Sequence, residues 1–107
     1  MGMRAQVLIE DTGVYLYTHW GSEELPDVVE KVIKQGWRLQ DPEYFTRILF
    51  EEMVGNEKGT ETGFGIGTSE HGDLEYPAIR INCVKQIVTF PPKSMKYTMS
   101  FKDIKEN

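Results

Sequence analysis

The chain of 107 residues has a single cysteine, two histidines and no long hydrophobic run. The single cysteine, Cys83, has no second cysteine with which to form an intrachain disulfide. A protein without disulfides fits a reducing compartment. The apolar stretches are too short for a membrane span or for the hydrophobic segment of a signal peptide. We therefore expect a cytoplasmic protein that does not enter a membrane.

Basic residues are outnumbered: the chain has 12 basic and 17 acidic residues, which give a formal net charge of −5. The densest basic stretch, residues 93–105, contains four lysines and is interrupted by Asp103. Nucleic-acid binding depends largely on clustered lysine and arginine, so we expect no nucleic-acid partner. The net charge fits a role in solubility, with an acidic binding surface as the alternative.

The residue patterns of a metal or nucleotide site are missing. One cysteine and two distant histidines do not supply the closely spaced ligand pairs of a four-ligand zinc site. The series Gly63-x-Gly65-x-Gly67 is followed by no predicted helix and no Gly-Lys-Ser/Thr element. It is therefore neither a dinucleotide-binding fingerprint nor a P-loop. We expect no metal and no cofactor.

Two amphipathic helices are predicted in the first half of the chain. Apolar residues recur at helical spacing from Leu25, and Gly36 ends this first helix. Asp41 is the expected N-cap of the second helix, with Pro42 at its first position and Gly55 at its end. A short connection joins the two helices, so they should be neighbours in space.

The remaining β-prone segments predict the fold class. Residues 4–20 fit a β-hairpin, and residues 62–68, 76–84 and 87–90 fit three further strands. The order β-β-α-α-β-β-β with short links predicts a two-layer α+β domain. We expect an antiparallel sheet of about five strands with two helices packed on one face.

The length predicts one domain over residues 1–107, since domains most often have about 100–150 residues. The core should lie within about residues 4–90. The tail, residues 91–107, is expected to form a short edge strand, a loop, or a last helical turn capped by Ser100.

Side chains alternate across a strand, so the predicted sheet has two chemically different faces. The helix-facing side should be apolar, with Val14, Leu16, Trp20, Phe64, Ile66, Ile79, Ile81 and Cys83. The opposite side should collect Tyr15, Tyr17, His19, Gly63, Gly65, Gly67, Arg80 and Asn82.

This second set is the candidate binding surface. Alternate glycines in a strand often mark the close approach of a ligand or of another backbone. Beside Tyr15 and Tyr17, they would form a shallow groove. In the alternative reading, the glycines relieve strand curvature and the aromatic rings pack on them.

His19 is the candidate general acid or base, supported by Tyr17 or Arg80. No nucleophile pairs with it in the predicted arrangement, because Cys83 points to the opposite face. The turn around His71 should be mobile and offer few fixed partners. We therefore predict that any functional surface lies on the His19 face rather than at His71.

Several segments together resemble a known group of small proteins: 14–21, Glu24–Pro26, Asp41–Pro42, 47–53, 63–68 and Glu75–Pro77. The group comes from bacteria, archaea and their viruses, has no established function, and is marked by a Tyr-x-x-His-Trp-x-Gly-like strand end. The resemblance covers roughly residues 5–90. It implies a standalone domain, and it assigns no activity and no catalytic residue.

These observations favour a non-catalytic binding or interaction module that uses the sheet face of Tyr15, Tyr17 and His19. Its partner would be another protein or a second copy of the chain. The alternative is a small hydrolase or transferase with His19 as general acid or base.

Overall fold

The computed structural model describes residues 4–19, 21, 23–57, 59–74, 76–91 and 98–106. The elements in chain order are β1 (Ala5–Ile9), β2 (Val14–Thr18), α1 (Leu25–Gln35), α2 (Pro42–Val54), β3 (Phe64–Gly67), β4 (Ile79–Asn82), β5 (Ile87–Thr89), β6 (Thr98–Ser100) and α3 (Phe101–Glu106). The α+β class is confirmed. Trp20, which was expected in the core, lies outside the described residues.

The sheet is open and mixed, with six strands in the order β3-β2-β1-β4-β5-β6. Four neighbouring pairs are antiparallel, as predicted, but β1 and β4 run parallel. The expectation of a purely antiparallel sheet of about five strands was therefore wrong in this detail. Parallel neighbours need a crossover connection, and the sequence gives no local signal of where a long connection ends.

The direction of the strands explains the path of the chain between β3 and β4. Both strands run parallel to β1, but β2 and β1 lie between them. The segment of residues 68–78 must therefore cross the sheet to reach β4. It passes over the face that the helices leave open, and there it meets the side chains of β1 and β2.

Both predicted helices begin and end where their local signals place them. Gly36 has φ +81° at the end of α1, a left-handed conformation that glycine adopts without steric cost. Asp41 is the N-cap of α2, and its side chain accepts a hydrogen bond of 3.4 Å from the Tyr44 backbone N–H. Such a cap contributes roughly 1 kcal/mol to the stability of a helix.

The hydrophobic core lies between the helices and one face of the sheet. The fully buried side chains include Val7, Ile9, Leu16, Val29, Ile33, Phe45, Leu49, Ile81, Val88 and Ile104. On the strands these residues alternate with residues of the open face, as the registers require. Burying each side chain of this size stabilises the fold by about 1.5–3 kcal/mol.

Ile66 departs from the predicted core. Its register partner is Leu16, which is buried, but Ile66 itself is 64% exposed. The reason is position in the sheet: β3 is an edge strand, and the core cluster includes Leu16 but not Ile66. The alternation of side chains along a strand predicts the face of the sheet on which a residue lies. It does not predict whether the helices cover that part of the face.

The tail beyond residue 97 is part of the fold. β6 pairs with β5, and Phe101 and Ile104 of α3 are buried in the core. Ser100 Oγ accepts a hydrogen bond of 3.0 Å from the Asp103 backbone N–H, so the prediction of a helical turn capped by Ser100 is confirmed. The predicted strand over residues 76–84 is shorter, Ile79–Asn82.

None of the helices in the described residues is long and apolar enough to cross a membrane.

Candidate binding face

Tyr15, Tyr17 and His19 lie on the sheet face opposite the helices. Leu16 and Thr18 alternate with them along the chain and are buried on the other side. The parity predicted from the sequence therefore holds, with no bulge in the pairing of β2 with either neighbour. All three side chains are half-buried.

Tyr17 is held by both histidines of the chain. Its hydroxyl lies 3.0 Å from His19 Nδ1, and its ring stacks on the His71 ring at a centroid distance of 4.8 Å and an interplanar angle of 22°. Stacking of this kind contributes about 0.5–1.5 kcal/mol beyond the area it buries. The phenol is thus fixed in orientation by two independent contacts.

Arg4 contacts the same nitrogen of His19. Its Nε donates a hydrogen bond of 3.4 Å to His19 Nδ1, and its guanidinium forms an ion pair with Asp73. Because Nε of arginine only donates, Nδ1 of His19 is the acceptor, and the proton of the neutral imidazole is assigned to Nε2. Asp73 belongs to the segment that crosses the open face, so this ion pair also holds that segment.

Gln6 anchors the crossing segment to the sheet. Its side chain is 2% exposed, donates from Nε2 to the Ser69 carbonyl at 3.2 Å and accepts at Oε1 from the His71 N–H at 2.9 Å. The sequence did offer a signal here: Gln6 is the polar residue in an otherwise apolar strand. A buried amide of this kind needs partners, and the residues 69–71 supply them.

The prediction that the His71 turn is mobile and separate from the His19 face was therefore wrong. His71 stacks on Tyr17, and its backbone is bonded to Gln6. The two histidines belong to one group, which we call the aromatic cluster: Arg4, Tyr17, His19, His71 and Asp73. The sequence could not show this proximity, because the path of residues 68–78 across the sheet is a tertiary feature.

Arg80 and Asn82 lie on the same face but belong to a different group. Arg80 Nη1 is 3.9 Å from Glu10 Oε2 and its Nη2 is 3.8 Å from Glu70 Oε1. Asn82 Nδ2 donates to Glu10 Oε1 at 3.3 Å. These residues form an ionic cluster with two carboxylates, which the sequence did not reveal.

The register separates the ionic cluster from His19. Leu8 of β1 is the register partner of both Arg80 on β4 and Tyr15 on β2. The strand β1 therefore lies between Arg80 and β2. His19 is a further four residues along β2, a distance of about 13 Å, and two strand spacings add about 9–10 Å across the sheet. Arg80 therefore does not assist His19 in the described structure.

The three glycines differ from one another. Gly63 precedes β3, has φ +102°, and accepts a hydrogen bond of 2.9 Å at its carbonyl from the His19 backbone N–H. It closes the end of the β2–β3 ladder and is buried, so it does not form part of an open floor. Gly65 and Gly67 are in the strand and form the glycine surface.

No contact with the described residues requires glycine at either strand position. A Cβ placed at Gly65 would lie 3.9 Å from Cδ2 of Tyr17, an ordinary contact, and one at Gly67 would meet nothing within 4 Å. Neither residue has a positive φ. Glycine weakens a strand, so these two residues are not explained by the described contacts of the chain.

Cys83 is buried on the helix side of the sheet. Burial raises the pKa of its thiol to about 12, with a further contribution from the neighbouring Asp11 carboxylate. Asp11 accepts hydrogen bonds from the backbone N–H groups of Cys83 and Val84, at 2.7 and 3.2 Å. Since the thiolate is the reactive form, Cys83 is not a nucleophile at neutral pH.

Within the described ranges, no group of three or more His, Cys, Asp or Glu side chains is placed so that it could hold a metal ion. Comparisons with protein-family models, curated proteins and solved structures found no match. The geometry of the sheet face is therefore what bears on the function of the protein.

Proposed function

We propose that the protein is a binding module that recognises a segment of another protein on the open sheet face at Tyr15, Tyr17 and His19. The observation that carries the proposal is the fixed aromatic cluster beside the glycine surface. Tyr17 is held by a stacked ring and a hydrogen bond, and Gly67, the register partner of Tyr15, leaves space that no side chain fills. Rigid amphipathic rings beside open space suit recognition because little conformational entropy is lost on binding.

The contacts of His19 favour binding over acid–base catalysis. Nδ1 already accepts from the Arg4 guanidinium and faces the Tyr17 hydroxyl, so this nitrogen is not available to take a proton from a substrate. The thiol of the chain is buried on the opposite side of the sheet with its pKa raised to about 12. These facts make the hydrolase or transferase reading the weaker of the two.

The groups on the face indicate what it would recognise. Tyr15 offers an apolar ring face and a hydroxyl group that donates and accepts hydrogen bonds. Tyr17, whose ring stacks on His71 and whose hydroxyl contacts His19, places a second, fixed ring beside it. The glycine surface lets a backbone approach the sheet closely. An extended peptide with an apolar side chain fits this combination.

A phage-displayed random peptide library, panned on the immobilised full chain, tests the proposal. Tyr15→Ser removes one ring of the face, and Tyr44→Ser removes a ring that is 49% exposed on α2 and serves as the matched control. We expect selected peptides to bind Tyr15→Ser at least tenfold more weakly and Tyr44→Ser with unchanged affinity. Equal affinity for both variants and for the original chain, or a failure to select any peptide, would contradict the proposal.

The two histidines provide a second comparison within the same assay. His71→Ala removes the ring that orients Tyr17, so we expect it to weaken peptide binding as His19→Ala does. Circular dichroism and urea unfolding confirm that each variant is folded. Unchanged binding by both variants would show that the aromatic cluster is not the site.

A further inference from the structure

The free edge of β3 presents unpaired backbone groups in a defined pattern. The His19 N–H donates to the Gly63 carbonyl, which makes this a hydrogen-bonded pair of the β2–β3 ladder. Such pairs recur at every second residue of an antiparallel ladder, so Gly65 and Gly67 also direct their backbone groups towards β2. The N–H and C=O groups of Phe64 and Ile66 therefore point away from the sheet.

Those outward groups have no backbone partner among the described residues. The edge also lacks most features that discourage pairing with another chain. Residues 60–70 contain no lysine, arginine or proline, and Ile66 is 64% exposed. Native proteins usually protect an edge with such charges or prolines, and here the short length of β3 is the main restraint.

We propose that β3 pairs with β3 of a second copy of the chain, antiparallel and centred on Gly65. In this register Phe64 lies opposite Ile66 of the partner subunit, and Ile66 lies opposite Phe64 of the partner subunit. The four outward backbone groups of each copy would then be paired with those of the other. The two sheets would form one continuous sheet across a two-fold axis.

The side chains agree with this register. On the helix side, each Phe64 meets an Ile66, and aromatic–β-branched cross-strand pairs contribute to the stability of a sheet. On the open side, Gly65 lies opposite Gly65 of the partner subunit, where the pair is not hydrogen-bonded and the backbones approach most closely. Two glycines at the closest point account for a residue type that the folded chain itself does not require.

The charges near the edge also permit the pairing. The acidic residues between positions 60 and 70 are Glu61 and Glu70. Glu70 belongs to the segment that crosses the open face and lies beside Arg80, so Glu61 is the one of the two that is near the free edge. In the register centred on Gly65, Glu61 and Glu61 of the partner subunit lie at opposite ends of the paired strands. No two carboxylates are directly opposite, so the net charge of −5 is not concentrated at this contact.

The dimer would also extend the binding face, a consequence that rests on the proposed function. The strands β2 and β3 of both copies would lie side by side, with the glycine surfaces in the centre. Tyr15 and Tyr17 of each copy would lie on the two outer strands. The β2 strands of the two copies would be about 14 Å apart, which is three strand spacings. A groove with a glycine floor and tyrosine walls would exist in the dimer alone.

Sedimentation velocity of the full chain without any ligand tests self-association. The paired strand is short, and interfaces below about 1,200 Å² are weak, so a concentration series should extend to several hundred micromolar. We expect the average mass to rise from 12.3 kDa towards twice that value as the concentration increases. A constant mass of one chain over the whole series would overturn the proposal, and it would leave the peptide-binding assay unaffected.

A pair of matched variants locates the contact. Ile66→Lys places a charge beside the free edge, whereas Val84→Lys makes the same kind of change at a residue that is 79% exposed in the β4–β5 turn. We expect Ile66→Lys to raise the dissociation constant at least tenfold and Val84→Lys to leave it unchanged. Equal effects of the two variants, or no effect of Ile66→Lys, would overturn the proposal.

Disulfide cross-linking tests the register. Gly65→Cys brings two thiols to a non-hydrogen-bonded pair on the two-fold axis, where the Cβ atoms of facing residues are about 4.5–5.5 Å apart. In Gly67→Cys the two thiols would be four register positions apart, about 13 Å. The native thiol of Cys83 is buried and does not compete. We expect covalent dimers to form at least tenfold faster in Gly65→Cys, and equal rates would show that the register is wrong.

Discussion

The two faces of the sheet use the same strands for different purposes. On the helix side, Val7, Leu16 and Ile81 are completely buried and contribute through removal of apolar surface from water. On the open side, hydrogen bonds and ring stacking hold Gln6 and Tyr17 to residues 69–71 of the crossing segment, and His19 is held by Tyr17 and Arg4. One face therefore stabilises the fold through apolar burial, whereas the other does so through specific contacts that also hold polar groups in fixed positions.

The largest difference between the faces should appear when adjacent residues of β2 are truncated. Leu16→Ala leaves a cavity in the core and should lower the free energy of unfolding by about 2–4 kcal/mol. Tyr15→Ala, on the half-buried face, should cost about 1 kcal/mol because less apolar surface is removed from contact. Urea unfolding followed by circular dichroism measures both, and equal costs would remove the distinction between the faces.

Gln6 should be the costliest polar residue of the open face. Gln6→Leu leaves the Ser69 carbonyl and the His71 N–H without their partner, so we expect a loss of about 1–3 kcal/mol. Hydrogen exchange of the His71 amide should become at least tenfold faster. Gln40→Leu, at an exposed position between the helices, is the control and should change neither quantity.

The buried thiol sets a pH dependence on the helix side. The pKa of Cys83 rises from 9.0 to about 12 in the folded chain. Between these values the unfolded chain has lost the thiol proton and the folded chain retains it, so stability falls as the pH rises above 9. The decline should be shallower in Cys83→Ala, as measured by urea unfolding at pH 8, 9 and 10. Parallel pH profiles for the two proteins would contradict the raised pKa.

The ion pair of the open face should contribute least. Arg4 and Asp73 have side chains that are 38% and 55% exposed, and exposed pairs contribute about 0–1 kcal/mol. Asp73→Asn should therefore change the free energy of unfolding by less than about 0.5 kcal/mol. A loss as large as that of Gln6→Leu would show that the ion pair, rather than the buried amide, holds the crossing segment.

Local signals were sufficient to predict the helices, the first hairpin and the parity of β2. Gly36 and Asp41 act on residues within one turn, and alternation along β2 depends on backbone geometry alone. Ile66 shows the limit of such reasoning, because its exposure depends on how far the helices extend over the edge of the sheet. The aromatic cluster was predicted in part: Tyr17 and His19 were expected together, whereas Arg4, His71 and Asp73 were not.

The sequence by itself determined the two apolar helix faces, the two chemically different faces of β2, the lack of a strongly basic segment and the single cysteine. These properties follow from short-range periodicity and composition. Tertiary structure alone decided that β4 lies beside β1, that residues 68–78 cross the open face, and that β3 remains at the edge. The physical reason is that pairing between distant strands depends on chain path and loop closure, which no local pattern of residues encodes.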